Sequence, residues 1–129
     1  MAIIEKPVEY FDQDKKCIGY MVYDDALSGK KPCVLINHAW SGLDQFSKNK
    51  ALEIANKGYI GFCLDNYGNG YEPAALEDKQ NTMLPLKEDR AKLLKRLLAG
   101  FEKAKNFDIV DKKNIATLGF CFGGLCALD

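Results

Sequence analysis

The sequence predicts an α/β protein: a mostly parallel sheet covered by helices, with an antiparallel hairpin at its N-terminal side. Two continuous apolar runs, residues 32–37 and 59–65, lack alternation, as strands covered on both faces do. The stretch between them, residues 44–57, carries Phe46, Ala51, Leu52, Ile54 and Ala55 at helical spacing. A third apolar run, residues 114–118, leads into Gly119-Phe120-Cys121-Phe122-Gly123, where glycines stand two positions either side of a cysteine. That spacing is the signature of a strand-to-helix nucleophile elbow, a turn so tight that its flanking positions must lack side chains.

The elements follow in chain order. Residues 8–11 and 17–23 alternate and are separated by the turn-prone Asp12-Gln13-Asp14, which predicts the hairpin. Residues 32–37 form the next strand, residues 44–57 a helix stopped by Gly58, and residues 59–65 the strand that completes a strand-helix-strand unit. Asn66 to Leu84 reads as a long irregular connection, of a length that suits a loop over a site. A second helix is predicted from Pro85 to about residue 105, with Leu86, Leu93, Leu94, Leu97, Leu98 and Phe101 on its apolar stripe and Lys92, Lys95, Arg96 and Lys103 outside. Gly100 is its one internal breaker. Strand 114–118 and the elbow close the order, and the small apolar residues 124–128 suit a helix packed closely on a sheet.

At 129 residues the chain reads as one domain, residues 1–129, below the usual size of a doubly covered sheet with this elbow and therefore incomplete at its C-terminal side. Eighteen basic and eighteen acidic residues balance to zero net charge, with no long block of one sign, which argues against a nucleic-acid or membrane surface. No leader pattern and no apolar run of spanning length is visible, so the expected location is the cytoplasm. The five cysteines, Cys17, Cys33, Cys63, Cys121 and Cys126, are an odd number without a CxxC pair, which favours reduced thiols over a disulfide framework. With a lone histidine, His38, no zinc set is expected, and no cofactor.

Cys121 is the candidate nucleophile, because the elbow holds it at the positive end of the following helix, where a thiolate is favoured. Cys33 and Cys63 read as core residues, and Cys126 as helix packing. Acyl transfer also needs donors for the developing oxyanion. One is the amide of Phe122, and the second comes from the loop His38-Ala39-Trp40-Ser41-Gly42, with the Trp40 amide assigned and Ala39 as the fallback. Asp65 and Tyr67 end a strand at the same edge and read as loop-bracing or capping residues lining the site. Arg90 falls near the middle of the apolar stripe on a helical wheel and reads as a buried structural pair rather than an anion site.

Through residues 119–124, 38–42 and 58–68, in that family's order and spacing, the chain resembles the dienelactone hydrolase family of the α/β-hydrolase superfamily. The resemblance implies an α/β-hydrolase-like sheet truncated after the nucleophile elbow. It also implies a hydrolase, without a cofactor, that attacks a lactone or carboxylic ester through a covalent acyl-Cys121 intermediate. Family members that open dienelactones carry a glutamate where this chain has Ala39. Their triad aspartate and histidine come from later strand ends, beyond Asp129. His38 is expected to brace the oxyanion loop, with general base as its second reading. Two other readings compete with the hydrolase. One is a non-catalytic fragment or assembly module that self-associates through an exposed strand edge. The other is a redox-sensing thiol paired with Cys126.

Overall fold

The computed structural model describes residues 3–26, 29–39, 42–73 and 75–119, and these form a five-stranded sheet with helices on both faces. Strands β1 (Ile3–Asp12) and β2 (Lys15–Asp24) pair antiparallel from Ile3 opposite Asp24 to Asp12 opposite Lys15. The turn is thus only Gln13 and Asp14, with Gln13 at φ 55°. Both strands run past the alternating segments read from sequence, because their polar ends continue the ladder. Strand β3 (Lys31–Asn37) and strand β4 (Ile60–Leu64) are parallel neighbours, and all five residues of β4 are buried. Strand β5 (Val110–Gly119) pairs parallel with β3, giving the order β1-β2-β4-β3-β5.

Helix α1 (Gln45–Asn56) starts where the Asp44 carboxylate accepts from the Ser47 amide at 3.3 Å. It stops as expected at Gly58, whose φ of 90° lets the Gly58 and Tyr59 amides reach the Ala55 and Ile54 carbonyls at 3.0 and 3.3 Å. The helix lies directly on β4: a Cβ at Gly61 would stand 2.8 Å from the Ala51 backbone. Pleating then sorts the strand side chains. Val22, Ile36 and Cys63 join Ala51 and Ala55 in one buried cluster, whereas Met21, Leu35, Phe62 and Leu64 join Leu93 and Leu97 in the other.

The segment from Asn66 to residue 105 departs from expectation. Its second half is not one helix from Pro85 but two, α2 (Leu76–Glu88) and α3 (Arg90–Lys105), meeting at Asp89. Asp89 leaves helical geometry at φ −112°, ψ 85°, and its carboxylate caps α3 by accepting from the Lys92 amide at 3.0 Å. Pro85 therefore lies inside the last turn of α2, and the expected long loop is half helix. The periodicity of α2 was invisible because it buries only Leu86. On α3 the stripe is also rotated: Leu93, Arg96, Leu97, Gly100 and Ala104 are buried, Arg90 is exposed, and Leu94 and Leu98 are 40% and 48% exposed. Gly100, read as a breaker, is instead a contact point, since a Cβ there would come within 2.5 Å of Leu64 Cδ2. Leu94 and Leu98 line an apolar cleft of about 270 Å³ between α3 and β5, together with Leu35, Leu64, Phe101 and Ile115.

Strand β5 is twice as long as residues 114–118 and less buried than a covered parallel strand: Ala116 and Thr117 are exposed. Among the described residues it bonds to β3 alone.

Candidate active site at the carboxyl edge of the sheet

Parallel strands β3, β4 and β5 end on the same edge, and a polar or glycine residue closes or directly follows each. Asn37 closes β3, with His38 and Ala39 following; Asp65, Asn66 and Tyr67 follow β4; Gly119 closes β5 directly beside Asn37 in register. Asp65, Asn66, His38 and Asn37 are each at most 2% exposed, so every polar atom there needs a partner.

Asp65 organises the loop after β4. Its Oδ1 accepts from the Gly68 amide at 2.9 Å, and its Oδ2 accepts from the amides of Gly70 at 2.8 Å and of Ile18, on β2, at 2.9 Å. The Tyr10 hydroxyl fastens the same residue from β1, accepting from the Asp65 amide at 2.9 Å and donating to its carbonyl at 3.3 Å. Burial pushes the Tyr10 phenol well above its ordinary range, so it stays a neutral hydroxyl able to do both. Asp65 is thus a loop brace, its carboxylate engaged by main-chain donors.

His38 is occupied on both ring nitrogens. The Ala39 carbonyl can only accept, so Nδ1, 2.7 Å away, carries the proton; Nε2 accepts from the Asn66 amide at 3.0 Å. Desolvation lowers its basicity, outweighing the Ala39 bond. The Tyr67 ring lies 4.6 Å from the imidazole, centroid to centroid, and the Gly42 amide also donates to Ala39 O, at 3.1 Å. The ring therefore braces the start of the loop after β3, and neither nitrogen is available to take a proton from a thiol.

Asn66 connects this loop to β5. Its Nδ2 donates to Asn37 Oδ1 at 3.3 Å, and Asn37 Nδ2 donates to Thr117 Oγ1 at 2.8 Å and to the Leu118 carbonyl at 3.2 Å. The Asn66 carbonyl accepts from Arg96 Nη1 at 3.0 Å, while Arg96 Nε binds Asp12 Oδ2 at 2.8 Å. The buried, paired arginine is thus Arg96, not Arg90, which is exposed at the first position of α3. Sequence reading missed Asn37, Asn66, Arg96 and Asp12. The asparagines carried a usable signal, as amides at or just after the carboxyl ends of apolar runs; Asp12 and Arg96, 84 positions apart, carried none.

Of the remaining predicted residues, Gly119 is in place at the end of β5, and Cys121, Phe122, Gly123 and Trp40 lie outside the described residues. The described thiols are buried, and desolvation raises Cys17 to about 11 and Cys33 and Cys63 to about 12. Among the described residues no three His, Cys, Asp or Glu side chains cluster to hold a metal ion. No helix there is long and apolar enough to cross a membrane.

Sheet order and covering helices, with buried polar residues gathered at the strand ends, define an α/β-hydrolase fold. The dienelactone hydrolase family model matches residues 18–129, and the chain belongs to that family. It is 26% identical over 102 residues to a Bradyrhizobium protein named "Probable 2-oxo-3-(5-oxofuran-2-ylidene)propanoate lactonase", covering 79% of this chain and 41% of the relative. Two solved structures are each 28% identical and match 99% of this chain and 53% of theirs. One is m3DLH, at a TM-score of 0.95; the other is P91, a dienelactone hydrolase-like promiscuous phosphotriesterase from metagenomic libraries, at 0.94. The chain spans about half the length of these relatives.

Proposed function

We propose that this chain carries the nucleophile and oxyanion half of a hydrolase acting on a lactone or carboxylic ester. The observation that carries the reading is the register of β3 and β5: Asn37 stands beside Gly119, so the first glycine of the elbow sequence enters the edge next to the loop that begins His38-Ala39. In this mechanism the Cys121 thiolate attacks the carbonyl carbon, and the amides of Phe122 and Trp40 hold the resulting oxyanion. Collapse breaks the C–O bond, leaves the acyl group on sulfur and expels an alkoxide, which takes a proton to become the alcohol. Water then cleaves the thioester, returning the thiol and releasing the acid. The proton donor and base lie outside this half, in keeping with His38 being engaged on both nitrogens. Family membership and the lactonase name of the Bradyrhizobium relative support the substrate class.

The test is acylation by p-nitrophenyl acetate, followed by release of nitrophenol and by peptide mapping. An acetyl group on Cys121, lost in Cys121→Ala, is expected, with slow or absent turnover afterwards. Acetylation only at lysines or at another cysteine overturns the mechanism. The exposure of β5 favours a second reading, assembly with another chain through that strand. A monodisperse monomer in sedimentation, with β5 amides slow to exchange, excludes it.

A further inference from the structure

Arg96 is a charged side chain in the middle of an amphipathic helix, yet it is 5% exposed. If α3 needed only to cover the sheet, an apolar residue would serve as well or better, since burying an ion pair gives little net stability. What the guanidinium does that an apolar side chain cannot is hold two acceptors from distant parts of the chain: Asp12 at the tip of the hairpin and the carbonyl of Asn66 after β4. Asn66 is the branching point of the edge. Its amide meets His38 and its side chain meets Asn37, which grips the Thr117–Leu118 end of β5.

We propose that Arg96, anchored by Asp12, is a positioning residue for the active site: it seats Asn66, and through Asn66 sets the loop after β3 against the end of β5. The catalytic part of this proposal rests on the hydrolase reading above. The planar fork of arginine matches the two acceptors, whereas the single ammonium of a lysine reaches them poorly together. An error in placement between oxyanion donors and nucleophile is expensive in rate even when binding survives.

The experiment compares Arg96→Met, Arg96→Lys and a control, Leu93→Ala, in the whole 129-residue chain. Leu93 is a wholly buried residue of the same helix and contributes only to the apolar core. Two quantities are read: Cys121 acylation across a range of p-nitrophenyl acetate concentrations, and exchange of the His38 Nδ1 proton with water by NMR. For Arg96→Met the maximal acylation rate is expected to fall about ten- to a hundredfold with its half-saturating concentration unchanged. The His38 proton is expected to exchange more than about tenfold faster, because the Asn66 amide no longer fixes the ring. Arg96→Lys should fall between Arg96→Met and wild type, and Leu93→Ala should leave both quantities near wild type while lowering the urea midpoint. If the Arg96 variants lose stability yet match Leu93→Ala in both readouts, Arg96 is only structural and the proposal fails. Should Arg96→Met not fold, Arg96→Lys carries the same comparison. If wild type is not acylated at Cys121, the hydrolase reading fails separately, and the His38 proton alone decides whether Arg96 positions the edge.

Discussion

The main-chain amide of Asn66 donates to Nε2 of His38 across 3.0 Å, so the segment leaving β4 fixes the tautomer of the residue leaving β3. That single bond settles the chemistry open to His38. With Nε2 accepting and Nδ1 donating to Ala39 O, the ring is neutral and structural. Protonation at Nε2 would set two donors against each other.

A pH dependence of stability follows. Burial lowers the folded pKa of His38 below 6.5, so the unfolded chain binds the extra proton first. The contribution of His38 is therefore complete above the unfolded pKa and is lost as pH falls through the folded one. Urea midpoints should drop on going from about pH 7.5 to 5, and His38→Gln should flatten this part of the profile. A wild-type curve no steeper than that of the variant over this interval contradicts the assignment.

Asp65→Ala removes the acceptor for three main-chain donors, Ile18, Gly68 and Gly70. Charge-assisted bonds of this kind are worth about 1.5–3 kcal/mol each in the clearest cases, and a loss of at least ~3 kcal/mol is expected. Denaturant unfolding measures it. Asp65→Asn, which keeps an acceptor of the same shape, should recover part. Equal losses in the two variants would show that the bonds to Gly68 and Gly70 do not hold the loop.

Gly61→Ala tests the seat of α1 on β4. The new methyl would sit 2.8 Å from the backbone of Ala51, where no flexible side chain can yield. Overpacking of this kind costs about 1–3 kcal/mol, read as a lower urea midpoint. An unchanged midpoint would mean that the helix rides further from the sheet than described.

The thiols should react in a defined order. Cys17, Cys33 and Cys63 are buried, with pKa values raised to about 11, 12 and 12, so at neutral pH none offers an accessible thiolate. Substoichiometric iodoacetamide followed by peptide mapping should label Cys121 first. Preferential labelling of any of those three would overturn both their burial and the elbow reading.

The parts of this molecule that could be read in advance are those encoded locally. Continuous apolar runs marked β3 and β4 because a strand covered on both faces has no polar side to show. Gly58 marked the end of α1 because its left-handed turn suits a residue without a Cβ. The spacing of Gly119, Cys121 and Gly123 is a local pattern of the same steric kind, and the elbow it predicts lies outside the described residues. Where local patterning was weak, the reading strayed: α2, with Leu86 as its one buried residue, passed for loop, and the Asp89 cap between α2 and α3 was overlooked.

Burial of charge was decided only by the fold. A helical wheel placed Arg90 inside and Arg96 outside, because it assumed one helix beginning at Pro85 with its apolar stripe facing the core. The true α3 starts at Arg90 and turns Arg96 toward the sheet, where Asp12 and the Asn66 carbonyl await it. Neither partner lies near Arg96 in the chain, and a guanidinium remains in the interior only where acceptors converge. Such convergence is a property of strands brought side by side. For that reason the apolar strands, α1 and its glycine stop were legible in the order of residues, while the asparagine, histidine and arginine network that holds the edge together emerged only from the sheet.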